Sequence, residues 1–381
     1  MSPLWPRYEE GSLALISSIC AHFGAPTAHA TLSHLDRLLG TGRFRNVVLM
    51  LYDGLGIAAL KAHLPADSFL RRHLTRDISA SYPSTTTAAT TALESGLSPA
   101  EHGWLGWSVY FPELDRAVDL FPNTDSWTGE KLPGTPVAQA LMPYMPVYAR
   151  INAAGQAKAA PVSPYSSPAY PDLTAIEAAI RTGCEEPGRH YFYGYWNEPD
   201  NTMHERGVLA PEVHRIILDL DRRAAAFAAS LPRDTLLIIT ADHGLVDAEN
   251  LYIEDHPALM EAMLRPPAVE SRAAALYVKP EYRQRFPRLF EEAFGGRFLL
   301  MTGADAIAGG IFGPGVPHPR LTQTVGDYMA FALTPACLLW KREPDPLIGV
   351  HAGLTADEML VPLIIYEADG REAAGLPGTT D

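Results

Sequence analysis

Three cysteines stand in 381 residues (Cys20, Cys184 and Cys337), and no two of them share a Cys-x-x-Cys spacing. That leaves no signal for a thiolate zinc knuckle or a dithiol redox pair. Basic charge is also short. Lys and Arg number 30 against 44 Asp and Glu, for a formal net charge of −14. Proteins that grip a nucleic-acid backbone over a broad surface need a basic face, so an extended nucleic-acid surface is not expected. A small phosphate substrate stays open, because bound divalent cations supply local positive charge that the count omits. No apolar run reaches about 18 residues, so no membrane span is expected. The N-terminus has no basic segment followed by an apolar core and a small-residue cleavage site. Its apolar stretch, 13–23, is interrupted by Ser17, Ser18 and His22 and preceded by Glu9 and Glu10. It reads as an amphipathic helix on the domain surface, and a cytoplasmic enzyme is the expectation. Repeats and low-complexity tracts are absent too.

What the chain does have is an alternation of strand-like and helical stretches. Asn46–Tyr52, 145–151, 191–196 and Thr235–Thr240 read as strands, with an Ala-, Pro- and Ser-rich loop at 159–171. Between the last two strands, 211–231 carries Val213, Ile216, Leu220, Ala224 and Phe227 at helical spacing. Such alternation predicts an α/β fold: a mostly parallel central sheet with helices on both faces. The core is expected from 1–250 and 345–381. A smaller inserted α+β cap subdomain is expected over 251–344, with helices near 256–264 and 281–294, strands near 273–278 and 298–301, and a Gly/Pro-rich loop at 309–319. Strands at 327–333 and 336–339 are expected to lead back to the core. The polar tail 368–381 is expected to fray.

Chemistry-bearing residues fall at the ends of these strands. Asp53 follows the run Asn46–Tyr52 and is flanked by Gly54 and Gly56, which let the backbone turn sharply. Alone, it reads as a helix cap. Tyr82-Pro83-Ser84-Thr85-Thr86-Thr87 enters a short helix that stops near Gly96. A hydroxyl at a helix N-terminus sits beside free N–H groups that favour an anion; the plainer role is an N-cap. Asp200 and His204 have the Asp-xxx-His spacing that lets both converge on one metal. Asp242-His243-Gly244 closes the strand Thr235–Thr240, at the edge where open α/β sheets place ligands. His351 lies in a glycine-flanked loop, where a lone histidine is usually polar surface. Three Asp and three His at successive strand ends are hard to reconcile with coincidence.

Leu51-Tyr52-Asp53-Gly54, Tyr82-Pro83-Ser84-Thr85-Thr86, Ser98-Pro99-Ala100-Glu101-His102-Gly103, Pro199-Asp200 through His204, Ala241-Asp242-His243-Gly244 and His351-Ala352-Gly353 together resemble the alkaline phosphatase superfamily, in its nucleotide pyrophosphatase/type I phosphodiesterase branch. The strings run in the family's order from Asp53 to His351. The resemblance implies two divalent ions, zinc or alternatively manganese, since Asp/His sites suit both. Asp200, His204 and His351 would hold one; Asp53, Asp242 and His243 would hold the other beside the nucleophile. The family's threonine lies three residues after the proline and ten before the glycine of the following helix, so the resemblance implies Thr86, with Thr85 and Thr87 as register alternatives. Thr86 would attack phosphorus in line, and water would hydrolyse the covalent phospho-threonine. The expected ligand is a small phosphate ester or nucleotide; oligomeric state is not readable.

One position departs from the branch. Its asparagine, twenty-one residues after the nucleophile, is replaced by Trp107. Trp107, Asn123 or Asn197 could supply a donor to the phosphate, along with Thr87 at the helix start. Trp104, Trp107, Tyr110 and Phe111 offer an aromatic platform or, for at least half of them, core packing. The string from His351 through Thr355 also resembles the tail of cofactor-independent phosphoglycerate mutases, which act on phosphomonoesters. A phosphomonoesterase or phosphonate hydrolase is therefore the alternative, and a non-catalytic metal-binding module for phosphorylated ligands the second. A sulfatase is disfavoured, because no Cys or Ser sits in the C/S-x-P-x-R context.

Overall fold

The computed structural model describes residues 3–342 and 344–368. Most of the tail expected to fray lies outside the described residues. The run Asn46–Tyr52 forms a strand with all seven residues buried. Side chains alternate across a strand, so a continuous buried run means that both faces are covered. It is central in a six-stranded sheet ordered Leu74–Ser79, Leu360–Glu367, Thr235–Thr240, Asn46–Tyr52, His190–Trp196, Lys158–Val162. The last four are mutually parallel. Only Leu360–Glu367 runs against the rest. The carboxyl ends of the parallel strands therefore share one edge. The helix Pro211–Ser230 buries Val213, Ile217, Leu220, Ala224 and Phe227; Ile217, not Ile216, completes the stripe.

A second sheet of seven strands is antiparallel throughout, ordered Phe298–Thr302, Tyr328–Ala332, Ala273–Leu276, Ala268–Val269, Ser108–Phe111, Arg116–Asp119, Thr124–Asp125. It is not confined to 251–344, because 108–125 supply three of its strands. Nor do both later strands lead back to the core: Tyr328–Ala332 is interior to this sheet, and Ala336–Leu339 pairs with Glu249–Tyr252.

Two further expectations are corrected. Residues 145–151 are not a strand; Val147–Ala154 is a helix, entered after Pro146 and stopped by Gly155 at φ 72°. Proline's fixed φ suits the entry and glycine's left-handed φ the exit, and this local chemistry outweighs the apolar run. The strand is instead Lys158–Val162, within the stretch read as loop, and Pro161 is tolerated there because the strand is at the sheet edge. The helix Ser12–His22 does not lie on the surface; Ser12 through Cys20 are all buried. Ser12 shares a hydrogen bond with Ser81 (3.1 Å) and Ser18 accepts one from the Leu32 N–H (2.8 Å), so protein replaces water for these hydroxyls. Among the described residues no helix is long and apolar enough to cross a membrane.

One buried ion pair joins the two sheets' surroundings. Arg272, immediately before the strand Ala273–Leu276, meets Glu358 with Nε–Oε1 at 2.7 Å and Nη2–Oε2 at 2.6 Å, both side chains fully buried. Nη1 donates to the Thr334 and Ala336 carbonyls. Glu358 also accepts from the Gly353 N–H (2.6 Å) and Thr355 Oγ1 (2.6 Å), fixing the loop that carries His351. Removing one partner strands a buried charge. Glu358→Ala should lower unfolding free energy by about 3–5 kcal/mol, read as a lower urea midpoint at unchanged slope. A loss below about 1 kcal/mol would assign the pair no such role.

Candidate functional site

Asp53 is the first residue beyond the strand Asn46–Tyr52, and its N–H still pairs with the Trp196 carbonyl at 2.9 Å. Asp200 opens the helix Asp200–Arg206 and donates its N–H to the Asp53 carbonyl at 3.0 Å. Asp242 and His243 follow the strand Thr235–Thr240. Because these strands are neighbours, their ends meet at one sheet edge. Glycines make the close approach feasible. Gly54 has φ +74°, and a Cβ there would stand 2.8 Å from Asp200 Cβ. At Gly244 a Cβ would stand 2.0 Å from the Asp357 carbonyl oxygen.

The six acidic and imidazole groups fall into two trios, Asp200/His204/His351 and Asp53/Asp242/His243. In each, the candidate ligand atoms lie within 4.8 Å of one another. Helical spacing sets His204 one turn past Asp200, with Nε2–Oδ2 at 3.2 Å. Its Nδ1 bonds the Gly349 carbonyl at 2.7 Å, leaving Nε2 to face the trio. His351 Nε2 is 4.0 Å from Asp200 Oδ1, and its ring stacks on His243 at 3.9 Å between centroids. In the other trio His243 Nε2 lies 3.5 Å from Asp53 Oδ1 and 3.4 Å from Asp242 Oδ2. Asp242 Oδ1 accepts from the Gly54 and His243 N–H groups.

No Lys or Arg among the described residues pairs with these carboxylates. Burial, then the charges of Asp242 and Asp200, hold the Asp53 carboxyl far above its ordinary range. Burial also raises Asp242. His351 is pushed far down by burial and then by its histidine neighbours. Burial would lower His204 as well, but Asp200 and the Gly349 carbonyl outweigh it and lift it to about 9. Asp200 Oδ1 and Asp242 Oδ2 are buried without any hydrogen-bond partner. Such atoms are costly to leave unmet. Two cations, one per trio, would meet them, and a mixed carboxylate–imidazole set suits zinc or manganese.

Three threonines compete for the nucleophile's place, and their hydroxyls diverge. Thr85 precedes the helix Thr86–Ser95 without capping it, because its hydroxyl donates to Glu270 at 2.6 Å. Thr87 is fully buried with no hydroxyl partner, so it can offer a substrate only its backbone N–H. Thr86 Oγ1 lies 3.1 Å from His243 Nε2 and 3.5 Å from Asp53 Oδ1. Thr90 Oγ1 donates to the Thr86 carbonyl at 2.6 Å, steadying that turn.

The substrate-side expectations fare less well. Asn123 is withdrawn: its amide donates to the Leu132 carbonyl and accepts from the Val137 N–H, which staples a loop. Trp107 keeps its indole 46% exposed, stacked edge-on to Phe121, while its backbone N–H donates to Glu270 at 2.7 Å. Trp104, Tyr110 and Phe111 are buried, consistent with packing. Two groups carried no readable sequence signal. Tyr195 donates its hydroxyl to Asp53 Oδ2. Glu270, raised by burial, ties Thr85 to Trp107.

Solved structures of similar fold include the murine ectonucleotide pyrophosphatase / phosphodiesterase 5, also in an inactive form in complex with AMP. It is 17% identical with a TM-score of 0.64, over 83% of this chain and 87% of that one. The human counterpart is 16% identical with the same TM-score, over 84% and 87%. A search of curated protein sequences finds no match. The model of the type I phosphodiesterase / nucleotide pyrophosphatase family matches residues 47–293, more than half of the sequence. The chain belongs to the type I phosphodiesterase / nucleotide pyrophosphatase family and is a hydrolase of phosphodiesterase type.

Proposed function

We propose that this hydrolase cleaves phosphodiester or nucleotide pyrophosphate bonds through a covalent phospho-threonine at Thr86, with two divalent metal ions, zinc in the first instance. The observation that carries this reading is the Thr86 hydroxyl, alone of the three threonines, in the Asp53/Asp242/His243 cluster. Asp200, His204 and His351 would hold one ion, and Asp53, Asp242 and His243 the other. When bound, such ions supply Lewis-acid stabilisation of phosphoryl oxygens and lower the pKa of a nucleophile.

The chain's own groups account for the rest. The first turn of Thr86–Ser95 is uncapped by Thr85, so its N–H groups are left to meet equatorial phosphate oxygens. Tyr195 holds the Asp53 carboxylate in one orientation from the side away from Thr86, donating to Oδ2 while Thr86 faces Oδ1. In the first step the Thr86 Oγ1–P bond forms, the P–O bond to the leaving group breaks, and the departing oxygen takes up a proton in exchange for the one Thr86 loses. In the second, water oxygen bonds to phosphorus, the P–Oγ1 bond breaks, and Thr86 Oγ1 takes a proton from that water.

The replacement of the branch's asparagine by Trp107 supports a second reading, a phosphomonoester or phosphonate substrate. Asn123 does not replace the missing amide, being engaged elsewhere.

On metal-reconstituted protein, Thr86→Ala should cut turnover of bis(p-nitrophenyl) phosphate by roughly a thousandfold or more, as loss of a nucleophile does. Turnover within a few-fold of wild type would sink the assignment. The matched monoester, p-nitrophenyl phosphate, should be the poorer substrate by kcat/KM; the opposite order would establish the second reading. Chelation should abolish both activities and lower Tm. Adding zinc or manganese at a hundred times its Kd should restore about 2.7 kcal/mol of stability. A Tm indifferent to chelator and metal would count against metal binding by both trios.

A further inference from the structure

Glu270 belongs to neither trio, yet it stands beside the nucleophile. It follows the short strand Ala268–Val269 of the second sheet. Its Oε1 accepts from two donors: the hydroxyl of Thr85, the residue before Thr86, at 2.6 Å, and the Trp107 N–H at 2.7 Å. Consecutive Cα atoms are about 3.8 Å apart, so a carboxyl bonded to Thr85 lies at the start of the helix Thr86–Ser95. A phosphate held by Thr86 and by the free N–H groups of that first turn would have Glu270 as a near neighbour. The carboxyl also interacts electrostatically with His243 and His204, one imidazole from each trio. Glu270 is thus within electrostatic reach of the whole cluster without being part of it.

Hydrogen bonding alone does not account for a carboxylate at this position. A glutamine carbonyl would accept the same two hydrogen bonds without burying a charge. Among the described residues Glu270 has no Lys or Arg partner, and its Oε2 accepts no hydrogen bond. Arg272, two residues on, is committed to Glu358 and to the Thr334 and Ala336 carbonyls. The backbone accepts strain on the way in, since Val269, just before Glu270, adopts φ 78°. Burial raises the Glu270 carboxyl above its ordinary range and the two imidazoles pull it back. Cations in the trios would act in the imidazoles' direction and favour the ionised form. That form adds a negative charge beside the phosphate site. Coulomb repulsion is proportional to the substrate's charge, so it weighs on a dianion about twice as heavily as on a monoanion.

We propose that Glu270 is a specificity-determining residue that selects substrates by charge: it holds back phosphomonoester dianions and admits singly charged diesters. The assignment rests on the diesterase reading for its reaction, and on the Glu270 carboxylate for the selection.

The test compares bis(p-nitrophenyl) phosphate with p-nitrophenyl phosphate on metal-reconstituted protein at about pH 9. There the monoester, with a second pKa of about 6, is a full dianion. Glu270→Gln keeps the carbonyl acceptor and removes the charge, whereas Glu270→Asp keeps the charge. The monoester-to-diester ratio of kcat/KM should rise by about tenfold or more in Glu270→Gln and stay within about threefold of wild type in Glu270→Asp. Calorimetric titration with phenylphosphonate, a dianion, and diphenylphosphinate, a monoanion, gives a readout free of turnover. Phenylphosphonate should tighten by about tenfold relative to diphenylphosphinate in Glu270→Gln. An unchanged ratio, an equal rise in Glu270→Asp, or a loss of both activities by one common factor, as loosening Thr85 alone would give, overturns the charge assignment and leaves the diesterase reading intact. A wild-type preference for the monoester that grows further in Glu270→Gln does the reverse. If no ester is turned over, the titrations decide: tightening of phenylphosphonate alone upholds the role of Glu270, and equal shifts of both ligands remove it.

Discussion

Three carboxylates buried at one sheet edge, with no Lys or Arg among the described residues to pair with them, are the constraint that the rest of the structure answers to. Asp53, Asp200 and Asp242 repel one another in a setting where charge is poorly screened, and burial first, then this repulsion, holds Asp53 far above its ordinary range. Each partial remedy in the fold is local. The Gly54 and His243 N–H groups serve Asp242, the Tyr195 hydroxyl serves Asp53, and His204 serves Asp200. Glycines at 54, 56 and 244 remove the side-chain atoms that would keep the strand ends apart. What remains unmet, Asp200 Oδ1 and Asp242 Oδ2, faces inward. An interior arranged this way is poor design for stability and good design for gathering cations, since leaving charges unpaired has no structural benefit.

The second sheet takes part in this arrangement. Its strand Ala273–Leu276 follows Arg272, which grips Glu358 and through it the loop of His351. Its strand Ala268–Val269 precedes Glu270, which holds Thr85 and so leaves the first helical turn uncapped beside Thr86. Val269 adopts φ 78°, strained for a β-branched residue, and its carbonyl packs where a Cβ at 106 would collide, so Gly106 is required. Strain is thus accepted at the point where the second sheet delivers a carboxylate to the nucleophile's neighbour.

How much of this was legible in the sequence varied with the range of the forces involved. Asp53 and Asp242-His243 could be placed because a continuous apolar strand fixes where its own end falls, and parallel neighbours end together. The Asp200–His204 pair follows from a single helical turn. The register between Thr85, Thr86 and Thr87 was open, because it depends on which hydroxyl faces which partner: Glu270 claims Thr85 from 185 residues away. Asn123 was misjudged for a similar reason, since an amide can satisfy itself within a nearby loop and no composition signal reveals that. The helix Val147–Ala154 was read as a strand although Pro146 and Gly155 frame it, a case where the termini carried more information than the apolar run. The burial of Ser12–Cys20 was illegible, because its serines look like solvent exposure until Ser81 and the Leu32 N–H are found to bond Ser12 and Ser18.

The substitution of Trp107 for an asparagine bears on substrate charge less than it does on hydrogen bonding. With a divalent ion in each trio, three carboxylates against two double positive charges leave a formal excess of +1. A diester, with one negative charge, matches that excess; a monoester dianion exceeds it. Glu270, bonded to Thr85 beside the nucleophile, leaves that excess in place when protonated; ionised, it would cancel the excess and disfavour a dianion further. The missing amide would have contributed one hydrogen bond of about 1–3 kcal/mol to a charged oxygen, which the uncapped N–H groups of the Thr86 helix are placed to supply. Charge balance therefore keeps the diester ahead even where the branch's own donor is gone.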